Sequence, residues 1–118
     1  MNHQTGKDGE KKALSFLQEQ GYTLVCQNYR CRFGEIDLIM QKDQMMVFVE
    51  VKTRRNSRYG LPREAVTLAK QRVIIKTAQQ YIQRYRIAHQ RFRFDVVEIY
   101  QDHNPTKVVH LPNAFSLF

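Results

Sequence analysis

The chain has no tryptophan, two cysteines, three prolines and five glycines among 118 residues. Two cysteines cannot complete a four-ligand zinc site, and Cys26 and Cys31 are spaced neither as Cys-x-x-Cys nor as part of a zinc pattern. They read as two reduced thiols, as in a cytoplasmic protein. No run of about 18 apolar residues exists, so no membrane-spanning helix and no membrane partner are expected. Met1 to Lys12 is polar and lacks the apolar core of an export signal, so a cytoplasmic location is expected. There is no internal repeat and no low-complexity tract.

Acidic residues are the other shortage. Eleven Asp and Glu stand against nineteen Lys and Arg, a formal charge of +8. In so short a chain that balance suggests a polyanionic partner, nucleic acid first, although small proteins are often basic without one. The length fits a single domain over residues 1–118 with one moderate core. The oligomeric state is left open, a homodimer included.

What is present reads as alternating elements. Lys7 to Gln20 carries a helical stripe of Ala13, Leu14, Phe16 and Leu17, with Gly21 where a helix stop belongs. Tyr22 to Cys26 is a short strand, followed by an irregular stretch from Asn28 to Phe33. Glu35–Met40 and Met45–Thr53 alternate with period two around the polar turn Gln41 to Gln44. Arg54 to Pro62 is a polar loop. Glu64 to Tyr85 is helical, Phe92 to Tyr100 is a strand, and Val108 to Leu111 is a shorter one. This order predicts an α/β fold, with a mixed sheet of four or five strands covered by the two helices.

The two alternating strands hold the chemistry. A turn centred between Asp43 and Gln44 sets Asp37 opposite Glu50 and Glu35 opposite Lys52. One face then holds Glu35, Asp37, Ile39, Phe48, Glu50 and Lys52. The other holds Ile36, Leu38, Met40, Val47, Val49 and Val51, all apolar. Asp43-Gln44 is not a favoured two-residue turn, and a four-residue loop with the same centre keeps the register. Two facing carboxylates repel unless a cation lies between them. Magnesium suits such a place, because it takes one or two carboxylates and fills its other positions with water and phosphate. A lysine one step along can orient water or stabilise charge on a phosphate. The same face also reads as a solvated sheet surface with a plain Glu35–Lys52 ion pair.

Gly34-Glu35-Ile36-Asp37-Leu38-Ile39, followed by Val47-Phe48-Val49-Glu50-Val51-Lys52-Thr53-Arg54, resembles the YraN, or UPF0102, family. Gly9-Glu10, Lys70 and Arg93-Phe94-Asp95-Val96-Val97 extend the resemblance over nearly the whole chain. That family is similar to archaeal Holliday-junction resolvases within the PD-(D/E)xK, restriction-endonuclease-like superfamily. The resemblance implies a restriction-endonuclease-like fold, with Asp37, Glu50 and Lys52 as catalytic residues. It also implies a Mg2+ or Mn2+ site made by Glu10, Asp37 and Glu50. Ile36 stands where the classical signature has proline, a departure that leaves the acid in place.

Arg54, Arg55 and Arg58 are candidates for phosphate contacts, and Lys70 joins them, although Lys70, Arg72 and Lys76 also read as a plain exposed helix face. Tyr59 is a weak stacking candidate. The four histidines show no ligand spacing, and Asp95 and Glu98 read as sheet residues. The leading expectation is a magnesium-dependent endonuclease acting on DNA, at branched or single-stranded structures. The alternatives are a nucleic-acid-binding module of the same fold without turnover, and an interaction protein with an acidic partner.

Overall fold

The computed structural model describes residues 3–54, 66–88 and 90–116. The elements run α1 (His3–Glu19), β1 (Thr23–Cys31), β2 (Gly34–Lys42), β3 (Met45–Arg54), α2 (Leu68–Arg84), β4 (Arg91–Tyr100) and β5 (Lys107–Phe115). The five strands form one sheet in chain order. β3 and β4 pair parallel and the other neighbours antiparallel, so the sheet is mixed. A parallel pair needs a crossover, and α2 provides it. Among the described residues no helix is long and apolar enough to cross a membrane.

Each helix lies on its own face of the sheet. Ala13 and Leu17 of α1 pack with Leu38, Met40, Val47, Val49, Val97 and Ile99. Ile74, Ala78 and Tyr81 of α2 pack with Ile36, Ile39, Phe48, Phe94 and Val96. The central strands are therefore covered on both sides. Met46 to Glu50 and Phe94 to Tyr100 are buried without interruption, as expected of strands that carry helices on both faces.

Several element limits depart from the sequence expectation. α2 begins at Leu68 and not near Glu64, because Thr67 is its N-cap and its hydroxyl accepts the Lys70 amide at 3.1 Å. The stretch from Asn28 to Cys31, read as irregular, belongs to β1. Its pattern is hidden by a bulge between Leu24 and Cys26 and by Asn28 at φ +54°. α1 ends as expected at Gly21, with φ +96° and the Tyr22 amide bonded back to the Leu17 carbonyl. Arg54 closes β3 and is not in the following loop.

The β2–β3 register is the expected one from Lys42↔Met45 to Leu38↔Val49. The turn is two residues, with Asp43 in the left-handed region at φ +55°, which aspartate tolerates better than most residues. The predicted division of faces fails in two respects. Ile39 and Phe48, assigned to the polar face, are fully buried under α2. Ile36 packs on the α2 side while Leu38 packs on the α1 side, although residues two apart should share a face. Of the predicted apolar set, Ile36, Leu38, Val47 and Val49 are buried and Val51 is half-buried.

Candidate active site

The face change falls at Asp37, and it builds the site. The ladder between β2 and β3 ends at Leu38↔Val49. One step further, the Val51 amide donates to Asp37 Oδ2 at 2.7 Å. A side-chain carboxylate thus takes an amide that a continuing ladder would use. β2 and β3 part here as a fork, with Asp37 and Glu50 at its base.

Two other acids approach. Gly9 brings α1 down onto β3 so closely that a Cβ at that position would stand 2.2 Å from Thr53 Oγ1. The next residue, Glu10, is thereby set over the fork. Asn28, in its left-handed conformation, donates from Nδ2 to Glu10 Oε1 at 3.0 Å and to Glu35 Oε2 at 3.2 Å. Glu35 also pairs with Arg30 at 3.2 Å. The expected Glu35–Lys52 cross-strand pair is not made, because the strands have already diverged.

Burial pushes the Asp37 carboxyl from 3.8 up to about 8; the Glu50 charge adds to this, as do Glu10 and Glu35 more weakly, against the opposing Val51 hydrogen bond. Among the described residues Asp37 has no ion-pair partner. Glu50 does: its Oε2 lies 3.4 Å from Lys52 Nζ and 3.9 Å from Lys70 Nζ. Glu50 is only 6% exposed, so its charge is held by these two cations and not by water. Lys70, which reads in sequence as part of an exposed helix face, stands half-buried in the first turn of α2 and joins the site.

Of the expected site residues, then, Asp37, Glu50, Lys52, Glu10 and Lys70 come together. Arg54 lies two residues beyond Lys52 and is tied at 3.2 Å to the fully buried Glu98, which also accepts the Tyr100 hydroxyl at 2.7 Å. Arg55, Arg58 and Tyr59 lie outside the described residues. Among the described residues no group of three or more acidic, cysteine or histidine side chains is placed to hold a metal ion as it stands. The carboxylates are a supply of hard oxygen donors around Asp37 and not a finished coordination sphere.

A second charged cluster, unassigned from sequence, is structural. Asp95 is fully buried and accepts from Arg93 through both oxygens at 2.8 and 2.7 Å, from the Asn113 amide at 2.9 Å, and meets His110 Nε2 at 2.7 Å. Burial alone would raise this carboxyl. The His110, Arg93 and Asn113 hydrogen bonds and the Arg93 charge outweigh it and hold the group below the usual carboxylate range. The Arg93-x-Asp95 spacing on one strand face was the only sequence signal for it.

Fold and site define a mixed-sheet α/β domain with a carboxylate–lysine cluster where two central strands fork. The sequence profile of the family described as "Uncharacterised protein family UPF0102" matches residues 9–99. The chain belongs to that family. A UPF0102 protein of Psychromonas ingrahamii is 49% identical, covering 90% of this chain and 84% of its own. One from Syntrophus aciditrophicus is 45% identical over 98% of this chain and 91% of its own. One from Caldicellulosiruptor saccharolyticus is 44% identical over 82% of each.

Proposed function

We propose that the protein is a magnesium- or manganese-dependent endonuclease that hydrolyses phosphodiester bonds in DNA, at branched or single-stranded structures. The observation that carries the reading is the pair of acids at the fork, half-buried Asp37 and buried Glu50, with Lys52 and Lys70 set against Glu50. The donor set suits a hard divalent ion. Burial, then the Glu50 charge and more weakly Glu10 and Glu35, raise the proton affinity of Asp37, and no cation of the described chain offsets them. Magnesium keeps several waters and needs only one or two protein carboxylates, so an unfinished oxygen shell is enough. Glu10, Asp37 and Glu50 would hold it. When bound, the ion supplies Lewis acidity and lowers the pKa of water.

The chain's own groups do the rest. The Val51 amide fixes the Asp37 carboxylate, and Asn28 fixes Glu10 and Glu35 on the α1 side. Lys52 is a flexible point charge at the mouth of the fork, suited to a phosphate oxygen or to orienting water, and an ammonium cannot ligate a cation. Lys70 adds positive charge from α2. Arg54 is held by Glu98, and the sequence supplies Arg55 and Arg58 as further cations for backbone phosphates.

The experiment is incubation of purified protein with duplex, single-stranded and branched DNA, with magnesium, manganese or chelator, beside the same assay on Asp37→Asn. Metal-dependent cleavage that disappears in the variant is expected. Cleavage by the variant equal to the parent's places the site elsewhere. The second reading, a nucleic-acid-binding module without turnover, is favoured by the ion pairs that already neutralise Glu50. Salt-dependent DNA binding with no cleavage of any substrate would put it first.

A further inference from the structure

The charge of the molecule is not confined to the fork. α2 carries Lys70, Arg72, Lys76 and Arg84 and not one acidic residue along its length. The turn joining β1 to β2 brings Arg32 and Phe33 against it. Gly34 permits this approach, since a Cβ there would stand 2.5 Å from Val73 Cγ1 of α2. Between turn and helix lies a cleft of about 530 Å³ whose lining includes Arg32, Phe33, Arg72, Val73, Lys76 and Gln79. Among the described residues no acidic side chain lines it.

Phe33 is out of place there by ordinary rules. It is 37% exposed, while the sheet's other phenylalanines are buried or half-buried. Cations lie over its ring, the Arg32 guanidinium 4.9 Å and the Lys76 ammonium 6.0 Å from its centroid, where a stacked base would replace or sandwich them. An exposed ring among basic side chains matches what a nucleic-acid strand needs, a flat apolar surface for a base and positive charge for the phosphates beside it. Bases in a duplex have no free face to offer, so only an unpaired nucleotide can use the ring.

We propose that the β1–β2 turn and the facing side of α2 form a stacking platform for an unpaired nucleotide, with Phe33 under the base and Arg32, Arg72 and Lys76 on the flanking phosphates. The proposal rests on the nucleic-acid reading of the fork and deepens it by naming single-stranded nucleic acid as the partner. Lys76 is six residues along α2 from Lys70, about 9 Å of helix rise. At about 3.4 Å per nucleotide of stacked strand, that is roughly three steps from the lysine at the fork. A strand seated on Phe33 would run along α2 toward the end of the helix that carries Lys70 and meets Glu50.

The test is binding in chelator, so that cleavage does not enter. Labelled single-stranded DNA and RNA oligonucleotides carrying 2-aminopurine, and the matching duplex, are titrated with the parent, with Phe33→Ala, with Phe33→Tyr and with an Arg32→Gln/Arg72→Gln/Lys76→Gln variant. Phe33→Ala is expected to weaken single-strand binding at least about fivefold and to abolish the 2-aminopurine quench, while duplex binding stays within about twofold. Phe33→Tyr restores both. The triple variant weakens both forms and flattens the single-strand salt slope by about 2, from about 0.7 per lost phosphate contact. The DNA and RNA arms show which sugar the platform takes. Unchanged single-strand affinity and quench in a folded Phe33→Ala protein overturns the platform, as does a parent that binds duplex as tightly as single strand. A protein that binds through Phe33 yet never cuts with magnesium or manganese overturns the proposed nuclease and leaves the platform standing. One that cuts and binds without Phe33 does the reverse.

Discussion

Asp37 Oδ2 accepts the Val51 amide at 2.7 Å, and in doing so stops the pairing of β2 with β3; burial and the neighbouring Glu50 raise the same carboxyl to about 8 against that hydrogen bond. Opening the ladder makes room between two buried strands, and the carboxyl that opens it is left among other acids.

The raised Asp37 carboxyl makes stability depend on pH in a defined direction. Its ordinary value is 3.8 and its folded value about 8, so between these the native state holds a proton that the unfolded chain has released. Stability of the metal-free protein is therefore expected to fall as pH rises from about 4 to about 8. Asp37→Asn should flatten that fall. Thermal melts across this range in chelator check it, and parallel curves for parent and variant would refute it. Magnesium at pH 8 should raise the melting temperature of the parent and not of Asp37→Asn.

Lys52→Ala should separate turnover from metal affinity. Removing a positive group that acts on developing phosphate charge costs about 100- to 1,000-fold in rate where such groups have been deleted. Magnesium affinity by calorimetry should hold or rise slightly, because the variant removes a cation that lies 3.4 Å from Glu50. Loss of metal affinity in proportion to rate would mean that Lys52 only supports the fold of the site.

Gly9 should be intolerant of even one methyl group. Gly9→Ala sets a Cβ 2.2 Å from Thr53 Oγ1, so the Thr53 hydroxyl must turn away or α1 must shift from β3. Overpacking of this kind costs about 1–3 kcal/mol, and a shift of α1 carries Glu10 with it. The double variant Gly9→Ala/Thr53→Ala removes the clashing hydroxyl, and the next atom on that residue, Thr53 Cβ, is at 3.5 Å. Denaturant melts on all four members of this cycle should show the double variant recovering most of the loss. Additive losses would show that the contact is not the cause.

Asp95 is expected to matter for the fold and not for the chemistry. Asp95→Ala leaves Arg93 and the Asn113 amide without their shared acceptor, and breaking a buried pair costs about 3–5 kcal/mol. Because its folded pKa is lowered, the contribution is present above about 4 and is lost as pH falls through the lower folded value. Urea melts at neutral and acid pH should show the parent's advantage over the variant shrinking in acid. Magnesium affinity of the folded variant should be unchanged.

What the sequence determined by itself was whatever the local backbone repeats. Period-two alternation marked the two central strands, and the register from Lys42↔Met45 to Leu38↔Val49 followed from their mirror placement about Asp43 and Gln44. The helical stripe and Gly21 located α1, and the quoted motifs located Asp37, Glu50 and Lys52. Tertiary structure decided the rest. That Ile39 and Phe48 lie under α2 depends on which helix crosses which face, and both faces of a doubly covered sheet are apolar, so alternation no longer marks an outside. That Ile36 and Leu38 face opposite ways depends on a carboxylate and an amide fourteen positions apart and on Asn28 at φ +54°. Lys70 enters the site only because Thr67 caps α2 and starts the helix beside Glu50. A periodic pattern reports the geometry of one segment at a time, and each of these is a contact between segments.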